Sequence, residues 1–139
     1  MFCQETPHKT VAIISTLLLA SVAAPPCIAR EPAQEVFLSA GDQAITTSGE
    51  TPAREARTYL LRMPSDLPIN FSVDADNSAC SLEISKASQR GVLSTISRFP
   101  ASFRDSGQSG DRYTFSFFQN RVSFMSGARC AFSFSLTQK

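Results

Sequence analysis

The sequence has no Trp, only two Tyr, and a single His, His8, near its start. A Ser-His-Asp set therefore has no histidine in the body of the chain, and none of the four cysteines forms the CxxC spacing of a redox or zinc site. Charge is also sparse. Charged residues make up 18%, and thirteen Lys and Arg against twelve Asp and Glu leave a net charge of +1. Because these charges are spread along the chain, the basic footprint that nucleic acid or an anionic membrane surface requires is missing. Beyond the first thirty residues no segment repeats apolar residues at i, i+3 and i+4, so amphipathic helices are not expected. What is present is 42% hydrophobic residues and eleven Phe, a globular composition that excludes disorder, collagen and coiled coil.

Residues 1–29 read as an export signal. An apolar stretch over 11–24 is too short to span a bilayer, Pro25 and Pro26 end it, and Cys27-Ile28-Ala29 puts small residues three and one positions before a cut. Arg30 is then the mature terminus, with cleavage after Ala23 as the alternative. Acylation of Cys27 is disfavoured by the two prolines before it. The remainder is about 110 residues, enough for one domain and without a transmembrane segment. Cleavage discards Cys3, Cys27 and His8, and leaves Cys80 and Cys130 as a lone pair in a periplasmic or secreted protein, where thiols end as disulfides. Such a bridge closes a loop of about 50 residues and contributes roughly 4 kcal/mol in the chain-entropy model.

Residues 30–55 are small and polar, an N-terminal tail with an edge strand around Val36-Phe37-Leu38 and an optional short helix over 52–57. From Tyr59 onward apolar residues alternate. Tyr59, Leu61 and Met63 share one face, followed by Ile69, Phe71 and Val73, then by Cys80, Leu82 and Ile84. Residues 92–96 supply a fourth strand, whereas Phe99-Pro100-Ala101-Ser102-Phe103 reads as an irregular connection because Pro does not fit a central ladder. Phe115 and Phe117, and later Phe132 and Phe134, alternate with Ser, and Val122 with Phe124 suggests one more short strand. Residues 56–139 are thus expected to form a small all-β, antiparallel sandwich with one disulfide.

The run Arg57-Thr58-Tyr59-Leu60-Leu61, then Ile69-Asn70-Phe71-Ser72-Val73, an apolar third strand, Ser109-Gly110-Asp111-Arg112-Tyr113-Thr114-Phe115 and a closing Phe-Ser strand resembles bacterial pre-peptidase C-terminal domains. The resemblance covers residues 50–137 and implies a jelly-roll-like, extracytoplasmic sandwich. Stand-alone members of similar size include periplasmic inhibitors of g-type lysozyme. Bacterial lysozyme inhibitors of several types insert a Ser-Gly-x-Tyr or Ser-Gly-x-x-Tyr loop into the enzyme's cleft. The spacing here is the longer one, which belongs more to the c-type inhibitors.

That resemblance implies a partner-binding set of Ser109, Gly110, Arg112 and Tyr113, with a lysozyme as protein partner; the residues themselves point to no cofactor, no metal and no catalytic residue. A lysozyme cleft carries two carboxyl groups of opposite protonation, which a hydroxyl donor, a close-approaching Gly backbone and a cation complement. The plainer reading of the same residues is a hairpin turn, with Tyr113 the first inward residue of a strand and Arg112 solvated. An envelope interaction or carbohydrate-binding module is the competing function, which exposed aromatics on a flat sheet face would mark. Asp74, Asp76 and Ser78 mimic the start of a calcium loop, but Ala79 stands where Gly is needed, so an Asx-turn is expected. Asp105 and Asp111 are the one carboxylate pair to weigh as a glycosidase centre. The arginines of the second half, Arg90, Arg98, Arg104, Arg112, Arg121 and Arg129, are expected on solvated strands and loops.

Overall fold

The computed structural model describes residues 31–38, 44–51 and 55–139, so the signal segment lies outside it. Nine strands and one short helix are described. In chain order they are β1 (Gln34–Phe37), β2 (Ile45–Glu50), β3 (Arg57–Arg62), β4 (Ile69–Ala75), β5 (Cys80–Lys86), β6 (Val92–Ile96), β7 (Ala101–Asp105), β8 (Arg112–Gln119), α1 (Arg121–Met125) and β9 (Ala131–Gln138). One sheet has the order β1-β3-β8-β5-β6 and the other β2-β9-β4-β7. All pairings are antiparallel except β1 with β3. β1 and β2 hence supply an edge strand to each sheet.

The period-two rows meet between the sheets as their alternation requires. Phe115 and Phe117 come from one layer, and Phe71, Phe132 and Phe134 from the other, and all five are buried. Phe117 stacks on Phe132 with centroids 3.7 Å apart, Phe71 on Phe115 at 4.7 Å, and Tyr59 meets Phe134 edge-on at 4.9 Å. Such aromatic pairs add about 0.5–1.5 kcal/mol beyond area burial, so these rings dominate the cohesion of the two layers. Burial also pushes the Tyr59 hydroxyl pKa up. Gly49 makes room for it, since a Cβ there would lie 2.7 Å from the Tyr59 oxygen.

Cys80 at the start of β5 is bonded to Cys130 just before β9, with Cα atoms 5.2 Å apart, so the disulfide joins the two sheets at one end of the sandwich. The segment beside it is an Asx-turn: the Asn77 side-chain oxygen accepts from the Ala79 amide at 2.9 Å, and Asp76 accepts from the Ala131 amide at 3.1 Å. Among the described residues no group of three or more His, Cys, Asp or Glu is placed to hold a metal ion.

Two local expectations are corrected. Residues 101–105 form β7 rather than an irregular link, because an edge position beside β4 leaves Pro100 just outside the ladder, where no amide is needed. Val122 and Phe124 lie on α1, not on a strand: the Asn120 side-chain oxygen accepts from the Ser123 amide at 2.8 Å and caps a single helical turn. Of the optional helix over 52–57, residues 52–54 lie outside the described residues, and Arg57 already begins β3.

Candidate functional site

The opposite end of the sandwich gathers the connections 63–68, 87–91 and 106–111 with the chain's last residues. The 106–111 segment carries most of the residues singled out in the sequence. It links β7 of one sheet to β8 of the other, so it is an arch between layers, not a hairpin. Its tip is a β-turn in which the Asp111 amide donates to the Gln108 carbonyl at 3.0 Å. Ser109 and Gly110 are the two central residues, and Gly110 takes φ +86°, the positive value that the second central position of a type II turn demands. A side chain added there would meet nothing within 4 Å, so the turn is open on that side.

Everything that holds the turn lies behind it. The Ser109 amide donates to Asp66 Oδ1 at 2.6 Å, the Gly110 amide to the Met63 carbonyl at 2.9 Å, and the Met63 amide to the Asp111 carbonyl at 2.8 Å. Gly107 is buried against the 63–67 connection, where a Cβ would stand 2.4 Å from Met63 Cε and 2.9 Å from the Leu67 carbonyl oxygen. Gln138 braces that connection in turn: its Nε2 donates to the carbonyls of Ser65 and Leu67.

Below the turn lies a cluster of Asp105, Asp111 and Tyr113 around Lys86, a residue not singled out in the sequence. Lys86 ends β5 on the same inward row as Cys80, Leu82 and Ile84, and is only 7% exposed. Its Nζ lies 2.8 Å from Asp111 Oδ2 and 3.1 Å from Asp105 Oδ2, and donates to the Ser106 carbonyl at 3.2 Å. The Tyr113 hydroxyl donates to the same Asp105 oxygen at 2.6 Å, and the Lys86 ammonium stands 5.2 Å from the Tyr113 ring centre. Burial works against the charge on Lys86, but its hydrogen bonds to Asp111, Tyr113 and Asp105 outweigh that and raise its pKa. Burial likewise opposes ionisation of Asp105, and the Tyr113 and Lys86 bonds overcome it and lower the pKa. Asp111 is held low chiefly by Lys86. Tyr113 is pushed up to about 12 by burial and by its bond to Asp105. Period two alone placed Lys86 inward, since it continues the Cys80, Leu82, Ile84 row.

The four predicted site residues therefore occupy different environments. Ser109 and Gly110 are exposed at the tip, and Arg112 is exposed on the outer face at the start of β8. Tyr113 is fully buried, and its hydroxyl braces Asp105 at the base of the arch. Asp105 and Asp111 share one cation and are both held ionised, so neither serves as the protonated acid that a glycosidase needs. The six arginines of the second half are all exposed.

No protein-family model matches the sequence, and no curated protein matches it. Solved structures do match its fold. A periplasmic inhibitor of g-type lysozyme, PliG from Aeromonas hydrophila, aligns at TM-score 0.54 and 12% identity over 77% of this chain and 96% of that one. The fold is PliG-like. PliG from Salmonella Typhimurium aligns at TM-score 0.51 and 14% identity over 78% of this chain and all of that one. The pre-peptidase C-terminal domain of a Bacillus anthracis collagenase aligns at TM-score 0.50 and 14% identity, covering 78% of this chain and 96% of the domain. In this chain the PliG-like sandwich carries its arch at the end opposite the disulfide. Among the described residues no helix is long and apolar enough to cross a membrane.

Proposed function

We propose that this chain is an exported binding protein that inhibits a lysozyme by inserting the turn at 108–111 into the enzyme's cleft. The observation that carries this reading is the turn itself: Ser109 and Gly110 are exposed, and every bond that fixes them reaches backward to 63–66 or to the Lys86 cluster. A turn held in one conformation before contact loses little conformational entropy on binding, which is what a cleft-blocking element requires. Ser109 offers a hydroxyl to the neutral carboxyl of the cleft, Gly110 lets the backbone approach closely, and Arg112 faces the ionised carboxylate. Tyr113 acts from below by holding Asp105. The PliG-like fold supports the reading, and the disulfide fits a periplasmic or secreted location. A carbohydrate-binding sheet face is less well supported, since Phe37 is the only largely exposed aromatic among the described residues.

Turnover of c-type, g-type and i-type lysozymes in the presence of the purified exported protein tests the proposal. Inhibition of one of them is expected. Full activity of all three at saturating protein would reject it.

A further inference from the structure

Arg62 closes β3 and Arg112 opens β8, and the two stand directly opposite each other in register. The Arg112 carbonyl accepts from the Ala87 amide at 2.9 Å, on the β5 side. The backbone of Arg112 thus points away from β3, and Arg62 with Arg112 is a non-hydrogen-bonded pair, the kind whose Cα atoms approach to about 4.5 Å. Like charges placed this way repel and weaken a sheet. Among the described cations, Arg57 pairs with Glu31, Arg129 with Glu50, and Lys86 with two aspartates. Neither Arg62 nor Arg112 forms an ion pair with any described carboxylate. Glu35, in the same groove, stands opposite Leu60 instead.

Phe37 lies opposite Arg62 on β1 and is 76% exposed. Phe37, Leu60, Arg62, Ala87 and Arg112, with Glu35, line a groove of about 460 Å³. Arg112 follows directly on the 108–111 turn, so groove and turn form one continuous surface. Asp111 is engaged by Lys86 and Asp66 by the Ser109 amide, and Glu35 on the groove wall forms no ion pair with either arginine.

We propose that Arg62 and Arg112 form a two-guanidinium clamp for carboxylates of the protein partner, with Phe37 as its apolar flank. This rests on the inhibitor reading and extends the contact surface from the turn onto the outer sheet face. Two planar forks side by side suit paired or bidentate carboxylates better than a single point charge would.

The test compares Arg62→Gln with the wild type and with Arg98→Gln, which removes the same charge at another exposed position. Against the lysozyme that the wild type inhibits, Arg62→Gln is expected to raise the inhibition constant by about tenfold or more and to flatten its dependence on salt, while Arg98→Gln leaves both unchanged. Unchanged inhibition by Arg62→Gln, or equal weakening by Arg98→Gln, would overturn the clamp. If Ser109→Ala loses inhibition in the same assay, the turn reading stands without it. Should the wild type inhibit no lysozyme, glutarate decides: guanidinium signals followed by NMR should shift at Arg62 and Arg112 alone, and not in Arg62→Gln. No shift, or a shift at all arginines alike, overturns the proposal.

Discussion

Lys86 Nζ sits 2.8 Å from an Asp111 carboxylate oxygen that also receives the Gln108 amide at 2.9 Å. One buried ammonium thereby fixes the residue that closes the 108–111 turn. Through Asp105, at the end of β7, the same ammonium joins the second sheet. β5 consequently carries a staple at each end of its inward row, the disulfide at Cys80 and the ion cluster at Lys86.

Lys86→Met should destabilise the protein by about 3 kcal/mol, the lower end of the range for breaking a buried ion pair, because Asp105 keeps some contact with water. The dependence on pH identifies the cause. Asp105 and Asp111 are lowered from 3.8, so their contribution is present above that value and is lost as pH falls through their folded pKa values. Lys86 is raised from 10.5, so its contribution is present below that value and is lost as pH rises through its folded pKa. Urea denaturation midpoints of wild type and variant should accordingly differ most between about pH 4 and pH 10 and converge in acid. A gap that stays constant down to pH 2 would show that the variant loses packing and not ion pairing.

Gly107→Ala should displace the arch rather than unfold the sandwich. Its methyl would collide with Met63 Cε, which can move, and with the Leu67 carbonyl, which cannot move without its strand connection. A loss of about 1–3 kcal/mol is expected, as for an overpacked site. Inhibition should fall more steeply than stability does, whereas a crystal structure of the variant with the turn unmoved would refute the account.

Phe132→Ala removes a ring stacked 3.7 Å from Phe117 and edge-on to Tyr59. A cost of about 3–5 kcal/mol is expected for this large-to-small core change. Chemical denaturation of the exported variant measures it, and a midpoint equal to that of the wild type would contradict the packing described.

Tyr113→Phe keeps the ring in the core and deletes only the hydroxyl that donates to Asp105 at 2.6 Å. With a charged acceptor losing one donor, a destabilisation of about 1.5–3 kcal/mol is expected. Ser109→Ala with Arg112→Ala should do the reverse, leaving the fold at least as stable because Arg112 no longer repels Arg62, and weakening inhibition by more than about tenfold. Thermal melts alongside inhibition assays separate these two outcomes. Inhibition retained by the double variant would remove the turn from the binding surface.

Much of this was legible along the chain because β alternation is a local property. The Phe and Ser rows and the turn around Ser109 and Gly110 follow from neighbours in sequence, through period two and turn chemistry, and the Cys80 to Cys130 bridge follows from the count of cysteines left after the signal. Lys86 belonged to the same class of inference, since it continues an inward row, yet its partners did not. Asp105 and Asp111 lie 19 and 25 positions away on other elements, and only sheet order brings them to one ammonium. Register decided the Arg62 and Arg112 pair, between strands whose pairing no local pattern states. Sheet order likewise made 101–105 an edge strand, and the Asn120 cap turned an alternating Val122 and Phe124 into a helical turn. Periodicity told which side of a strand is apolar. Which strands become neighbours, and which charges they bring together, is set by packing between distant segments, and that is where the candidate site is assembled.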